Sequence, residues 1–473
     1  MPTKPEAGAA AGNTAATTTP GTAGTAPDPA AVDGAAAGGG EILLDVRDLH
    51  VHFALRGGWL DRFAGRDRGS VRAVDGVTFQ LRRGEVLGLV GESGSGKTTL
   101  GRALLGLVPP AAGSIRYEGR ELVGLAERRL RPLRRQLQMV FQDPHASLNP
   151  TMDLERAVGH PLRIHRLAAG EAARRERVAA ALERVGLAPA ERFLTKFPGD
   201  LSGGQKQRAV LARATILDPK LIVADEPVSM LDMSVRAKIL ELMLDLKRQL
   251  GLTYVYITHD LGTAKFLCDR VAIMYLGRIV EIGPTEEIFG DPKHPYTRSL
   301  LAAVPEPDPT KSLPREVPRG EVPDAAVRPA GCAFHPRCPA AFEVCGWEGR
   351  DLRALLEQRW TELPEEQFMA ETSTIGDLAA LDGQTGTVGV PTGAGKTAED
   401  VAALLAEVRA GDPAEPLWRG VRAVRVAGGH AAAEFFDGVD PGLVQAGGVE
   451  VACHLHDPEM TGLADRLAAE RER

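Results

Sequence analysis

No apolar run in this 473-residue chain reaches the ~20 residues that a membrane-spanning helix needs, so any bilayer contact has to run through a partner. The N-terminus lacks a charged stretch followed by an apolar core, which argues against a secretory signal, and the chain reads as cytosolic. Positive charge is not in excess. The formal net charge is −7, so no global basic field points to nucleic acid and no such partner is expected. Cysteine is scarce, with five residues, and in a cytosolic chain so few favour metal binding or catalysis over disulfides. Heptad repeats of the coiled-coil kind are also missing.

What is present is ordinary for a soluble protein: 44% hydrophobic and 25% charged residues, in a chain long enough for two or three domains and a full core. Residues 1–40 are almost all Ala, Gly, Thr and Pro, a composition that buries too little surface to offset its ordering entropy. A disordered tail is expected there, with order beginning near Glu41. Short strands are predicted over Ile42–Val46 and Leu49–Phe53, with His50 and His52 as edge-strand histidines rather than metal ligands. Arg56–Ser70 reads as an exposed loop, and Val71–Leu81 and Ile115–Tyr117 as strands. Five arginines between Arg128 and Arg135 read as the solvated face of a helix rather than a nucleic-acid patch. Leu154–Leu194 is mainly helical, with Val178, Leu182 and Val185 at amphipathic spacing.

Chemistry concentrates at three strand ends. Val86–Val90 reads as a buried strand, Gly91-Glu92-Ser93-Gly94-Ser95-Gly96-Lys97-Thr98 fits G-x-x-x-x-G-K-[ST], and Thr99 and Leu100 open a helical pattern. In that context the glycines let backbone N–H groups curl around phosphate oxygens, and the helix N-terminus adds partial positive charge. Lys97 would reach the β- and γ-phosphates, and the Thr98 hydroxyl would bind Mg²⁺. Leu221–Ala224 is an apolar strand ending at Asp225 and Glu226, the Walker B pattern: Asp225 to hold Mg²⁺, Glu226 to polarise the attacking water. A strand over Thr253–Ile257 leads to Thr258-His259-Asp260, which lets His259 face the γ-phosphate. Around these lie a strand Gln138–Phe141 before Gln142, a helix opened by Leu201-Ser202-Gly203-Gly204-Gln205, a helix from about Ser234 to Leu250, and a hairpin of Val271–Tyr275 with Arg278–Ile282.

In this order the motifs resemble the nucleotide-binding subunit of an ABC transporter, over roughly Glu41 to Pro305. LSGGQ between Walker A and Walker B is the specific feature. The resemblance implies an α/β fold: a P-loop ABC ATPase cassette with a RecA-like core, an antiparallel β subdomain and an inserted helical subdomain at about 145–215, followed by a C-terminal Cys-containing accessory domain (306–473). It also implies that two subunits sandwich two ATP molecules, with Ser202, Gly203, Gly204 and Gln205 capping the nucleotide on the partner's P-loop. By the same match Phe53 stacks on adenine, Gln142 senses Mg²⁺ and the permease, Asp232 is the D-loop aspartate and His259 the switch histidine. VFQDPHASLNP (Val140–Pro150) and HPYTRSLLAAVP (His294–Pro305) resemble the oligopeptide/dipeptide importer ATPases. The Gly- and Arg-rich insertion before Val71 resembles their second, F-type ATPase. Met230 departs from the family's small residue before Leu231-Asp232.

Cys332, Cys338 and Cys345 follow a C-x₅-C-x₆-C spacing, and 107 residues separate Cys453 from the third. Zinc is open on spacing, with His335, His454 or His456 as further ligands, and four thiolates also suit an iron–sulfur cluster. The importer ATPases carry a similar tail, some with a [4Fe-4S] cluster, although their fourth cysteine lies nearer the third. Residues 346–452 read as an insertion in this tail. Val401, Leu404, Leu405 and Val408 mark one amphipathic helix, and the glycines from Gly383 to Gly395 a loop. Gly393-Ala394-Gly395-Lys396-Thr397 imitates a P-loop but has Val390 at the first glycine position and no expected strand before it, so a second ATP site is rejected. Cys268 reads as core.

The resemblance implies an ATPase subunit that couples ATP binding and hydrolysis at a dimer interface to peptide uptake. It would sit peripherally on the cytoplasmic face of the membrane, with a second ABC ATPase (as a heterodimer), two transmembrane permease subunits and an extracytoplasmic solute-binding protein. Import of nickel or a sugar, a soluble non-transport ABC ATPase, and a sensor role seated in the cysteine tail are the competing expectations.

Overall fold

The computed structural model describes residues 40–54, 70–303 and 318–460. The rest of the expected N-terminal tail, the expected loop at 56–69, the last residues of the HPYTRSLLAAVP stretch and residues 461–473 lie outside these.

The core sheet has eight strands. Five are parallel: β3 (Val86–Val90), β6 (Leu137–Val140), β7 (Leu221–Asp225), β8 (Thr253–Thr258) and β9 (Arg270–Tyr275), in the order β9-β3-β8-β7-β6. β3, β7 and β8 are buried at every residue, which is why they read as continuous apolar runs rather than alternating ones. Their carboxyl ends put Gly91, Asp225 and Thr258 on one edge, where ligands of open α/β sheets bind. β10 (Arg278–Pro284) returns antiparallel beside β9, as the hairpin pattern predicts.

A second, antiparallel sheet orders β2 (Ser70–Arg82), β1 (Ile42–Ala54), β4 (Ala112–Tyr117) and β5 (Arg120–Glu121). The two short strands expected at 42–53 are one 13-residue strand with register shifts, and Asp48 adopts φ 44 at the irregularity. β1 is paired on both sides as far as His50, which corrects the edge-strand reading of His50; His52 lies beyond the last β4 pair and is matched with Arg72 of β2. His50 lies 3.0 Å from both Asp75 and Asp48.

The region expected to be helical forms Leu154–Ile164, Glu171–Arg184 and Glu191–Leu194. Asp153 caps the first by accepting from the Arg156 N–H at 2.8 Å. Val178 and Leu182 are buried on the second, as their spacing requires. The arginine-rich stretch is the helix Glu127–Leu133 with no buried residue, a solvated face.

Beyond Cys345 the chain builds helices Gly349–Glu362, Glu365–Thr374 and Ala398–Gly411 and a three-stranded antiparallel sheet of β11 (Thr387–Val390), β13 (His430–Phe435) and β12 (Val421–Ala427) in that order. Val401, Leu405 and Val408 form the buried stripe of the predicted helix. β11 corrects the loop expected up to Gly395: Val388 and Val390 alternate inward, and a strand does precede the Gly393–Thr397 loop. The loop is still no second ATP site. β11 is an antiparallel edge strand, Lys396 is exposed, and the Thr397 hydroxyl is engaged with the Asp400 N–H as a helix cap.

The module leaves and returns at one point. A Cβ on Gly438 would lie 2.5 Å from the Cα of Gly346, and the Val439 N–H donates to the Val344 carbonyl at 2.9 Å. The hairpin β14 (Val444–Ala446) and β15 (Val449–Val451) then joins the core sheet beside β10. The segment that departs from the core sheet is therefore shorter than 346–452.

Candidate active site

Gly91 through Thr98 wrap between β3 and the helix Lys97–Leu104. Two glycines are required sterically. A Cβ at Gly91 would lie 2.2 Å from the Met274 carbonyl oxygen. One at Gly96 would lie 2.0 Å from that of Ala73, at φ 98. Lys97 is buried. Its Nζ donates to the carbonyls of Gly91 (2.8 Å) and Glu92 (2.7 Å) and to Ser95 Oγ (3.1 Å). Burial pushes this ammonium below its ordinary pKa, and Glu226, Asp225 and Glu92 pull it back. Ser93 and Gly94 are exposed at the loop's tip, and Thr99 is half-buried on the helix.

Thr98 Oγ1 donates to Asp225 Oδ1 at 2.9 Å, so the two expected Mg²⁺ ligands meet. Burial raises the Asp225 pKa, against the Thr98 hydroxyl and the nearby Arg102. A carboxylate pushed up by desolvation gains most from a divalent cation. The next residue, Glu226, holds φ 46, an uncommon conformation for a non-glycine residue. Its carboxylate is gripped from both sides. Gln142 Nε2 donates to Oε2 at 2.9 Å, and His259 Nδ1 lies 2.9 Å from Oε1. With Nδ1 against Glu226, Nε2 is the ring nitrogen left for another partner, on a side chain that is 58% exposed. Gln142, Glu226 and His259 come from three different strand ends, and the fold brings them into one hydrogen-bonded row.

The remaining expected residues sit elsewhere on the surface. Ser202 caps the helix Gly203–Thr215 in a capping box with Gln205. Gly204 packs so closely on the helix Met233–Leu250 that a Cβ would lie 2.6 Å from Val235 Cγ1. Asp232 caps that second helix, accepting from the Val235 N–H and the Ser234 hydroxyl. Ser202, Gly203, Asp232 and Met230 are exposed. Phe53 is exposed on β1, paired with Val71.

Two residues that sequence reasoning did not assign also touch the loop. The Glu92 N–H donates to the Tyr296 hydroxyl at 3.0 Å, and Arg337 donates to the Glu92 carboxylate from Nη1 (3.0 Å) and Nη2 (3.3 Å). Their only signal was lexical: both lie in words noted for resemblance or for cysteines, not for phosphate chemistry.

The four tail cysteines converge. Cys332, Cys338, Cys345 and Cys453 line one small buried pocket, walled also by Phe334, Phe342 and His294. None of the five cysteines is in a disulfide, and Cys268 is buried in the core as expected. Burial raises the thiol pKa of Cys332 and Cys345, and pushes Cys453 up to about 12. His335 is spoken for at both ring nitrogens, by the Cys332 carbonyl (2.8 Å) and Asp351 (3.1 Å). His456 Nε2 lies 3.1 Å from the Lys293 carbonyl.

With this geometry in view, the likeness to known proteins is specific. Residues 74–229 match the ABC transporter family, and residues 280–345 match the oligopeptide/dipeptide transporter C-terminal region. The oligopeptide transport ATP-binding protein OppF of Escherichia coli (strain K12) is 44% identical over 309 residues, 65% of this chain and 91% of its own length. AppF of Bacillus subtilis (strain 168), also an oligopeptide transport ATP-binding protein, is 44% identical over 308 residues, 64% of this chain and 92% of its own. A solved dimeric ATP-binding cassette in a post-hydrolysis state with ADP and Pi is 27% identical, covers 51% of this chain and 98% of its own, and has a TM-score of 0.45. The chain is an ABC-class ATPase that uses ATP and Mg²⁺. It belongs to the oligopeptide/dipeptide transporter ATP-binding family.

Proposed function

We propose that this chain is the ATP-hydrolysing subunit of a peptide importer, of the F type, working on the cytoplasmic face of the membrane. A second, different ABC ATPase, two permeases and an extracytoplasmic binding protein complete the proposed assembly. The names of the relatives support peptides as cargo over nickel or sugars. Among the described residues no helix is long and apolar enough to cross a membrane, which fits a subunit that reaches the bilayer through partners.

The observation that carries hydrolysis is the row Gln142–Glu226–His259 beside Thr98–Asp225 and Lys97. Thr98 and Asp225, with Gln142, would hold Mg²⁺, which would supply charge neutralisation to the phosphates. Lys97 leaves its carbonyl partners for the β- and γ-phosphates. Glu226 takes the proton of the attacking water, and His259 holds the γ-phosphate oxygens as charge develops. Ser202 and Gly203, exposed, with the half-buried Gly204 and Gln205 and the exposed Asp232, would close the partner ATPase's site, and Phe53 would stack on adenine. The test is uptake of a labelled oligopeptide by cells dependent on this subunit. Wild type restores it and Glu226→Gln does not. Intact peptide uptake without the subunit, with loss of nickel or sugar uptake, would sink the peptide reading.

For the thiol pocket the reading is a [4Fe-4S] cluster held by Cys332, Cys338, Cys345 and Cys453. Among the described residues no three of these sulfurs lie within 4.8 Å of one another. Zinc bonds of ~2.3 Å would hold sulfurs about 3.8 Å apart, so the spread suits a larger group than one ion. His294 Nε2 and His454 Nδ1, on side chains lining the pocket, are buried without a hydrogen-bond partner among the described residues, as expected beside a missing polar group. When bound, the cluster supplies cross-linking of a distant cysteine to the tail, and redox capacity. Anaerobic purification followed by iron, sulfide and zinc determination tests it: about four irons per chain, lost in Cys453→Ser, supports the cluster, and stoichiometric zinc or no metal overturns it.

A further inference from the structure

We propose that Arg337 and Tyr296, both C-terminal to the catalytic strands, are positioning residues of the nucleotide site that clamp Glu92 and neutralise it for phosphate binding. The proposal rests on reading Gly91–Thr98 as the phosphate loop. Glu92 is the one acid in that loop. An unpaired carboxylate there would oppose a polyphosphate at close range, by a term that grows as water is excluded.

Every polar group of Glu92 is held. Its carbonyl accepts from Lys97, its N–H donates to the Tyr296 hydroxyl, and its carboxylate takes a two-pronged contact from Arg337. Only the first of these is internal to the loop. Arg337 is itself locked in place. It is 8% exposed, lies 5.9 Å from the ring centroids of both Tyr275 and Phe334, and donates from Nε to the Arg319 carbonyl. Tyr296 is fully buried, with its ring 4.7 Å from Tyr275 and 5.3 Å from Phe334. His294, at the head of the same helix Pro295–Ala302, caps it by accepting from the Tyr296 N–H at 3.0 Å. Arg337 closes the turn His335–Arg337 immediately before Cys338. The tail therefore reaches the phosphate loop through one rigid aromatic block, and swings the Glu92 carboxylate onto a guanidinium and away from incoming phosphate.

The test is equilibrium binding of the fluorescent analogue mant-ATP with Mg²⁺, and the KM and kcat of ATP hydrolysis, on the full-length chain. Arg337→Met keeps the apolar stem but strands the Glu92 charge. It is expected to weaken nucleotide binding about tenfold, an effect of one ion-pair interaction, seen in Kd and KM more than in kcat. Combining it with Glu92→Gln removes the charge that needed a partner and is expected to restore Kd to within about twofold of wild type. A role in packing alone would not be rescued this way. Wild-type affinity in Arg337→Met, or a double variant as weak as the single, overturns the clamp. Should Arg337→Met not fold by circular dichroism, Glu92→Gln alone decides, because it leaves the Arg337 packing intact: tighter binding upholds the proposal and unchanged affinity overturns it. Absence of nucleotide binding by the wild type would instead overturn the reading of the phosphate loop.

Discussion

Glu226 combines backbone strain with chemistry. A positive φ of 46 persists only where neighbours over-determine it, and here Gln142, His259 and a backbone bond from its own N–H to the Ile257 carbonyl do so. Glu226→Gln keeps the shape but cannot accept a proton. We expect phosphate release to fall by about 10²–10⁴-fold while ATP still binds, measured by phosphate assay and mant-ATP titration. His259→Ala should lower the rate in the same sense while leaving Kd within about threefold, if His259 meets developing charge as proposed above. Glu226 and His259 were legible in the sequence because each closes an apolar strand, whereas Gln142 was marked by the family resemblance. What the sequence did not disclose is that the three side chains touch one another.

At the scale of elements, the fold joins its sheets through charge. Asp75 on β2 is 3% exposed, and Arg278 at the start of β10 and Arg328 from the tail both reach it; each arginine also reaches Asp440. Burial works to raise the Asp75 pKa, and Arg278 and Arg328 more than offset it, holding the carboxyl below its ordinary value. A depressed carboxyl contributes stability above the unfolded pKa of about 3.9, and that stability is lost as pH falls through the folded value. Asp75→Asn should therefore cost about 2 kcal/mol at pH 7, under the range for a fully enclosed pair because Arg278 is 27% exposed. The gap from wild type should close below pH 4, read by urea denaturation at both pH values. Gly96→Ala tests the loop itself: with a carbonyl oxygen 2.0 Å from the new Cβ, we expect loss of mant-ATP binding with the bulk of the fold retained by circular dichroism. Helix and strand positions in the cassette followed from periodicity and from strand–loop–helix context. Contacts such as Arg337 to Glu92 span 245 residues of sequence, and no local pattern carries that information. The same limit hid β11, whose four residues alternate too briefly to stand out among glycines.

For the whole molecule, the thiol pocket and the phosphate loop are built by residues outside the module that begins at Gly349. A chain in which residues 349–437 are replaced by a short Gly-Ser link should keep its ATPase rate within about twofold, and its iron content if the cluster is present. Steady-state hydrolysis and metal analysis check this, and loss of both would mean that the His335–Asp351 contact is indispensable. The fold class and order of the cassette were legible from its motifs. The module was not, beyond its one amphipathic helix, because nothing in its composition announces which strand pairs with which.

The meeting of Gly346 with Gly438 has a practical reach. An excursion whose entry and exit share one spot is a socket: a foreign domain with adjacent termini, such as a fluorescent reporter, can be plugged in there without re-routing any strand of the engine.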